Sequence, residues 1–225
     1  MTLIQQDRDL WSVQHQFGWQ AGLVPIPIRM SVLRLANGQL ILHSPIPISA
    51  ALERELDALG SVGYIVVPKA HGRFAGEASQ RYPEAHLLAA PAASWRRRAL
   101  PFSACLTDQP PDAWEGQVNS LLVRGFRLQE VVLLHRPSRT LVLTDLCFNI
   151  HASSSRAARL FFRANGMWQH FGPSRLIRLL VVSNGSAFRR SLERILEWDF
   201  ERVVLSHGEV VERGGPEALR SAWLR

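Results

Sequence analysis

Residues 30–43 read MSVLRLANGQLILH, two apolar-alternating runs joined by Asn37-Gly38. Alternation places one set of side chains on one face of a strand, and Asn-Gly supplies two positions that tolerate positive φ, so this stretch predicts a β-hairpin. The turn SPIPIS follows, and Ser49 can cap a helix striped by Leu52, Leu56 and Leu59. Next come a strand over 64–67, a turn, and a short helix ending near Tyr82-Pro83. HLLAA (86–90) and FSACL (102–106) read as strands, and 92–99 as a basic helix. Runs at 118–124, 129–135 and 140–145 predict a meander. A helical pattern covers about 152–165. LIRLLVV (176–182) reads as a strand, 186–199 as an amphipathic helix, and RVVLSHG (202–208) as a strand. A last helix begins near Pro216, a residue suited to the first helical turn.

This order is a hairpin half, alternating β and α, a meander, then alternation again. It predicts an α/β (α+β) chain with two mixed β-sheets face to face and helices outside. No linker, repeat or low-complexity stretch divides it, so residues 1–225 are expected to form one domain.

The chain carries 26 Lys and Arg against 19 Asp and Glu, a formal net charge of +7. Lys69 is the only lysine. The tightest basic cluster is Arg96-Arg97-Arg98 beside Trp95, without the aromatic–basic interleaving of a single-strand platform. Nucleic-acid binding through the basic surface is one function class the charge allows. No apolar run approaches the ~20 residues of a membrane helix. The first residues also lack the basic start and apolar core of a signal peptide. Cys105 and Cys147 lie far apart and form no C-x-x-C, which suits buried, reduced thiols. A cytoplasmic protein without a membrane partner is the expectation.

Several strand ends carry chemistry. QLILHSP ends in His43 and Ser44, PKAHGRF (68–74) follows a strand, LVRGFRLQE contains Gly125 and Phe126, LVLTD ends in Asp145, and VVLSHG ends in His207. With the strand order, these landmarks resemble the metallo-β-lactamase fold superfamily over nearly the whole chain. The wording LILHSPIPIS, FAGE, YPEA and LLHRPSRTLVLTD resembles an uncharacterised, hydrolase-like branch of it. The resemblance implies a four-layer αββα sandwich with a metal site at the strand ends. It places His43 and Ser44 at the family's Asp-Thr, and puts Lys69, His71, Arg73 and Phe74 along its T-H-x-H-x-D-H. Phe126 falls at the His of P-G-H, Asp145 at the Asp shared by two metals, and His207 at the last His.

Most ligands of the family's two-metal site are therefore replaced. Each metal needs about three protein ligands, and the cations Lys69 and Arg73 stand where ligands would be, so a binuclear centre is not expected. The favoured expectation is a degenerate site in which Lys69 faces Asp145 and balances its charge, leaving a pseudoenzyme or a protein that binds a small anion or metabolite carboxylate. The alternative is a mononuclear hydrolase with one zinc or iron on His43, His71, Asp145 and His207, Asp145 and His207 being the candidate catalytic residues. A Ser/His/Asp triad drawn from Ser44 or Ser206 is disfavoured: there is no G-x-S-x-G elbow, and Ser206 points opposite to its neighbour His207.

Overall fold

In the computed structural model, residues 1–19, 24–91, 100–153 and 155–224 are described. The basic helix expected over 92–99, with Trp95 and Arg96–Arg98, lies outside them.

The first sheet has seven strands in chain order: β1 (Ile4–Asp7), β2 (Leu10–Trp19), β3 (Val24–Arg34), β4 (Gln39–His43), β5 (Ser61–Val67), β6 (His86–Ala89) and β7 (Ala104–Cys105). The second has four, in the order β11 (Arg202–Leu205), β10 (Thr140–Leu143), β9 (Val131–His135) and β8 (Val118–Leu122). Both are mixed: β3–β4 is antiparallel while β4–β5–β6–β7 run parallel, and β8–β9–β10 are antiparallel while β10–β11 is parallel. The expected hairpin is β3–β4, with Asn37 Oδ1 accepting from the Gln39 amide at 3.0 Å and Gly38 at φ +84°.

Period-two patterning sorts the second sheet. Val131 and Leu133 join Val142 and Val204 in the core shared with the first sheet, whereas Val132 and Leu134 face outward. On the outer face of the first sheet, α1 (Ala50–Leu59) buries Leu52 and Leu56, with Ser49 accepting from the Leu52 amide as its cap. The short α2 (Ala75–Arg81) also packs on β5. Outside the second sheet, α5 (Gly185–Leu196) and α6 (Gly215–Trp223) cover Leu134, Leu141 and Leu143. Between them in sequence lie α3 (Arg156–Ala164) and α4 (Arg175–Leu180). The result is the four-layer αββα sandwich.

Two expectations need correction. LIRLLVV is not a strand. Ser174 caps it by accepting from the Ile177 amide at 3.1 Å, and α4 forms with Ile177 inward and Leu176, Leu179 and Leu180 outward. A short apolar run fits either period, and the cap decided it. Of the cysteines, Cys147 is buried but Cys105 is exposed on the two-residue β7. The N-terminal pair β1–β2, absent from the sequence expectation, extends the first sheet.

Gly208 fixes the approach of the loop after β10 to β11. Its φ is +111°, and a Cβ there would lie 2.0 Å from the Asn149 carbonyl oxygen. Gly208→Ala is therefore expected to cost about 3 kcal/mol or more. Thermal melting should show a midpoint lower by about 6–12 °C.

His135, at the end of β9, is fully buried and hydrogen-bonded through Nδ1 to Ser138 Oγ at 2.7 Å. Burial pushes its pKa down to about 4, so the folded chain keeps the ring neutral. The unfolded chain binds this proton more readily. Stability from His135 is thus complete above the ordinary value near 6.5 and is lost as pH falls from there through about 4. The loss is about 3 kcal/mol. Denaturant titrations at pH 7 and pH 4.5 should show a smaller difference for His135→Gln than for wild type.

Candidate metal centre

The C-terminal ends of β4, β5, β10 and β11 converge on one side of the sandwich. The last paired residues of β10 and β11 are Leu143 and Leu205. Asp145 and His207 lie two residues beyond each, so the parallel register sets them side by side. His71 comes from the first sheet, in the turn after β5, where its amide donates to the Pro68 carbonyl at 3.1 Å.

These three side chains meet. His71 Nε2 is 3.4 Å from Asp145 Oδ2, His207 Nε2 is 3.4 Å from Asp145 Oδ1, and the two Nε2 atoms are 3.2 Å apart. Each side chain is largely buried. Each ring is held from behind. His207 Nδ1–H donates to the Pro27 carbonyl at 2.9 Å, which leaves its Nε2 with a lone pair. His71 Nδ1 meets Ser44 Oγ at 2.8 Å. Phe148 stacks on the His207 ring at 4.8 Å.

Two imidazole nitrogens this close, both facing one carboxylate, can share a proton in a hydrogen bond or hold a metal ion between them. Bonds of about 2.0–2.2 Å in tetrahedral geometry set neighbouring donors about 3.3–3.5 Å apart. The spacings here, 3.2 Å for the nitrogen–nitrogen edge and 3.4 Å for the two nitrogen–oxygen edges, lie close to that range. With two nitrogen donors and one oxygen donor, the residues fit a zinc or iron ion. The carboxylate also favours a proton on His71, which a metal ion would have to displace. Burial alone would raise the Asp145 pKa, but His71 and His207 hold it well below the usual carboxylate range. Burial alone would lower His71, but Asp145, helped by Glu130, raises it.

The structure gathers His71, Asp145 and His207 from the expected set and leaves His43 outside the group of mutually close donors. His43 is buried in the first sheet, its Nε2 without a hydrogen-bond partner, and burial beside His71 pushes its pKa down to about 3. Lys69 is the cation expected to face Asp145. Lys69 Nζ donates to the Arg127 carbonyl in a separate pocket, and the groups flanking the carboxylate are imidazoles. Arg73 is exposed, its guanidinium over the rings of Phe17 and Phe74 at 5.5 and 6.0 Å.

Sequence reasoning missed Glu130. Its Oε1 accepts from the Thr144 amide at 2.5 Å, fixing the backbone just before Asp145, while Oε2 is buried without a partner. Burial and the nearby Asp145 push its pKa up to about 7. The available signal was a lone acid beginning the apolar run EVVLLH, a position that must be buried if the run is a central strand.

The triad opens onto a cavity of about 320 Å³ whose walls include Phe17, Ile28, Phe148, Met167 and Ile177, with Arg73 at its edge.

Fold and site together define a metallo-β-lactamase-fold protein with a His/Asp/His donor group. The chain belongs to the DUF4336 family, a domain of unknown function whose family model matches residues 7–167. No curated protein matches the sequence. Among solved structures it is similar to a metallo-β-lactamase from Pontibacter korlensis at 12% identity and a TM-score of 0.64, covering 100% of this chain and 99% of that one. A metallo-β-lactamase from Hirschia baltica has 13% identity and a TM-score of 0.65, covering 99% and 96%. FIM-1 from Pseudomonas aeruginosa, in its mono-zinc form, has 10% identity and a TM-score of 0.64, covering 99% and 94%.

Ser44 sits at φ +61°, a left-handed conformation, and this aims its hydroxyl at His71. Ser44→Ala keeps that backbone and removes the support. Zinc affinity, read by competition with a chromogenic chelator, should fall about 10- to 100-fold.

Proposed function

We propose that the protein is a mononuclear metal-dependent hydrolase, with zinc or iron held by His71, Asp145 and His207, acting on substrates that carry an apolar group. The observation behind this reading is the donor triangle, with edges of 3.2, 3.4 and 3.4 Å and both rings braced. Among the described residues this is one cluster of three donors, which favours one ion over two. The ion, when bound, supplies a Lewis acid for a carbonyl or phosphoryl oxygen and acidifies bound water.

The chain's own residues do the rest. Pro27 and Ser44 orient the rings, and the Thr144 amide bond to Glu130 sets the carboxylate. Phe148, Ile28 and Met167 exclude bulk water from one side of the triad and offer an apolar group a place to bind. Arg73 supplies a positive charge at the cavity edge.

A second reading, a non-catalytic protein that binds a metabolite anion, draws support from Arg73 at that edge, with no ion pair to a described carboxylate. The two are separated by elemental analysis of protein purified without a metal-affinity tag, followed by zinc titration with a melting readout. The hydrolase reading expects about one zinc or iron per chain and a higher melting temperature with added zinc, both lost in His71→Ala. Metal-free protein with no thermal response would favour the anion-binding reading. Metal-loaded protein is then screened against esters, thioesters and lactams of increasing acyl length.

A further inference from the structure

Between Asp145 and Glu193 the chain has no acidic residue and seven arginines, as many positive charges as the net charge of the whole protein. The same segment forms α3 and α4. The two helices are joined, since the Arg175 amide donates to the Asn165 carbonyl at 2.8 Å and its guanidinium to the Ala164 carbonyl at 3.2 Å. Both border the mouth of the apolar cavity, through Phe161 on α3 and Leu176 and Ile177 on α4.

Their outer faces are apolar where a solvated helix would be polar. Leu160 is 71% exposed, Leu179 78%, Leu180 63% and Leu176 46%. Apart from Met1 and Ile4, these are the exposed large apolar side chains among the described residues. Single exposed leucines are ordinary; here three lie together on the six-residue α4, and a fourth lies on α3, whose C-terminal end meets the start of α4. Arginines are interleaved with them: Arg156, Arg159 and Arg163 on α3, and Arg175 and Arg178 on α4. None of the five forms an ion pair with a described carboxylate.

We propose that the α3–α4 face docks on an anionic phospholipid bilayer, with the leucines entering the headgroup–acyl boundary and the arginines meeting lipid phosphates. Apolar side chains flanked by arginine on a short amphipathic surface are what interfacial binding requires. Other occupants fit less well. A second copy packed about a twofold axis would set the same arginine-rich patch against itself, and like charges oppose that. Nucleic acid would satisfy the arginines but leave the leucines without a partner.

The mode is binding at the surface. No described helix is long and apolar enough to cross a membrane. The sequence expectation of no membrane partner rested on the length of apolar runs, which bears on spanning alone. Because the patch borders the cavity mouth, docking would turn the cavity toward the lipid. The proposal stands independently of any metal at the triad.

The test is co-sedimentation of the full chain with vesicles of phosphatidylcholine alone and of phosphatidylcholine with phosphatidylglycerol, for wild type and Leu179→Ser/Leu180→Ser. Neither leucine lines the cavity or packs in a core, so the variant should fold, as circular dichroism and melting will verify. Wild type is expected to pellet with the anionic vesicles and not with the neutral ones, and to release as salt is raised. The double variant should bind the anionic vesicles about tenfold or more weakly. Three results would each overturn the proposal: no pelleting with anionic vesicles, equal binding by the double variant, or a wild-type dimer in sedimentation velocity that the double variant converts to monomer.

Discussion

The structure depends on one meeting across the gap between two sheets: the Asp145 carboxylate with the His71 and His207 imidazoles. Asp145 and His207 belong to the second sheet and are aligned by the β10–β11 register. His71 belongs to the first sheet, in the turn after β5. The triad can form only if the sheets pack with their parallel strands ending on the same side, so the site reports on the packing of the whole sandwich. Side chains tie the sheets elsewhere too. Arg29 on β3, buried between them, donates to the Leu205 carbonyl at 2.7 Å, two residues before His207. Ser206 Oγ donates back to the Arg29 carbonyl at 3.3 Å. Burial pulls the Arg29 pKa down to about 10, which leaves it charged at neutral pH.

Much of the fold could be read in the sequence because its signals are local. Asn37-Gly38 marked a hairpin, Ser49 a cap, and alternating valines and leucines the meander. The site was half legible. His71, Asp145 and His207 each follow a strand pattern, so their place near one edge could be argued from chain order. Their mutual distances could not, because those come from register and sheet packing. His43 illustrates the gap. It ends a strand as the others do and is buried beside His71, yet it lies outside the group of mutually close donors, while the neighbouring Ser44 bonds to His71. Ser44 lies just past the strand in a left-handed conformation, which chain order alone does not reveal. Lys69 shows the same limit: its turn could be placed near the site from chain order, but its side chain's hydrogen bond to the Arg127 carbonyl could not.

Two buried polar atoms without hydrogen-bond partners lie near the triad. His43 Nε2 and Glu130 Oε2 are both fully buried. Each such group costs about 1–3 kcal/mol, and most buried polar atoms in folded proteins avoid that cost. Glu130 has a structural return, since its other oxygen holds the Thr144 amide and so the path of the chain into Asp145.

The cavity's apolar walls act on the triad as well as on whatever enters. Phe148 covers one face of His207, and Phe17, Ile28 and Met167 keep polar atoms away from the opening. A low-polarity wall weakens dielectric screening, so attraction between the Asp145 carboxylate and a cation beside it is stronger than at an open surface. The same wall makes an uncompensated Asp145 charge costlier. These effects work together: the more apolar the cavity, the more the Asp145 charge depends on the imidazoles beside it. The apolar lining and the buried carboxylate thus act on each other through the same side chains, and polar replacements there would weaken the attraction between Asp145 and a positive charge beside it.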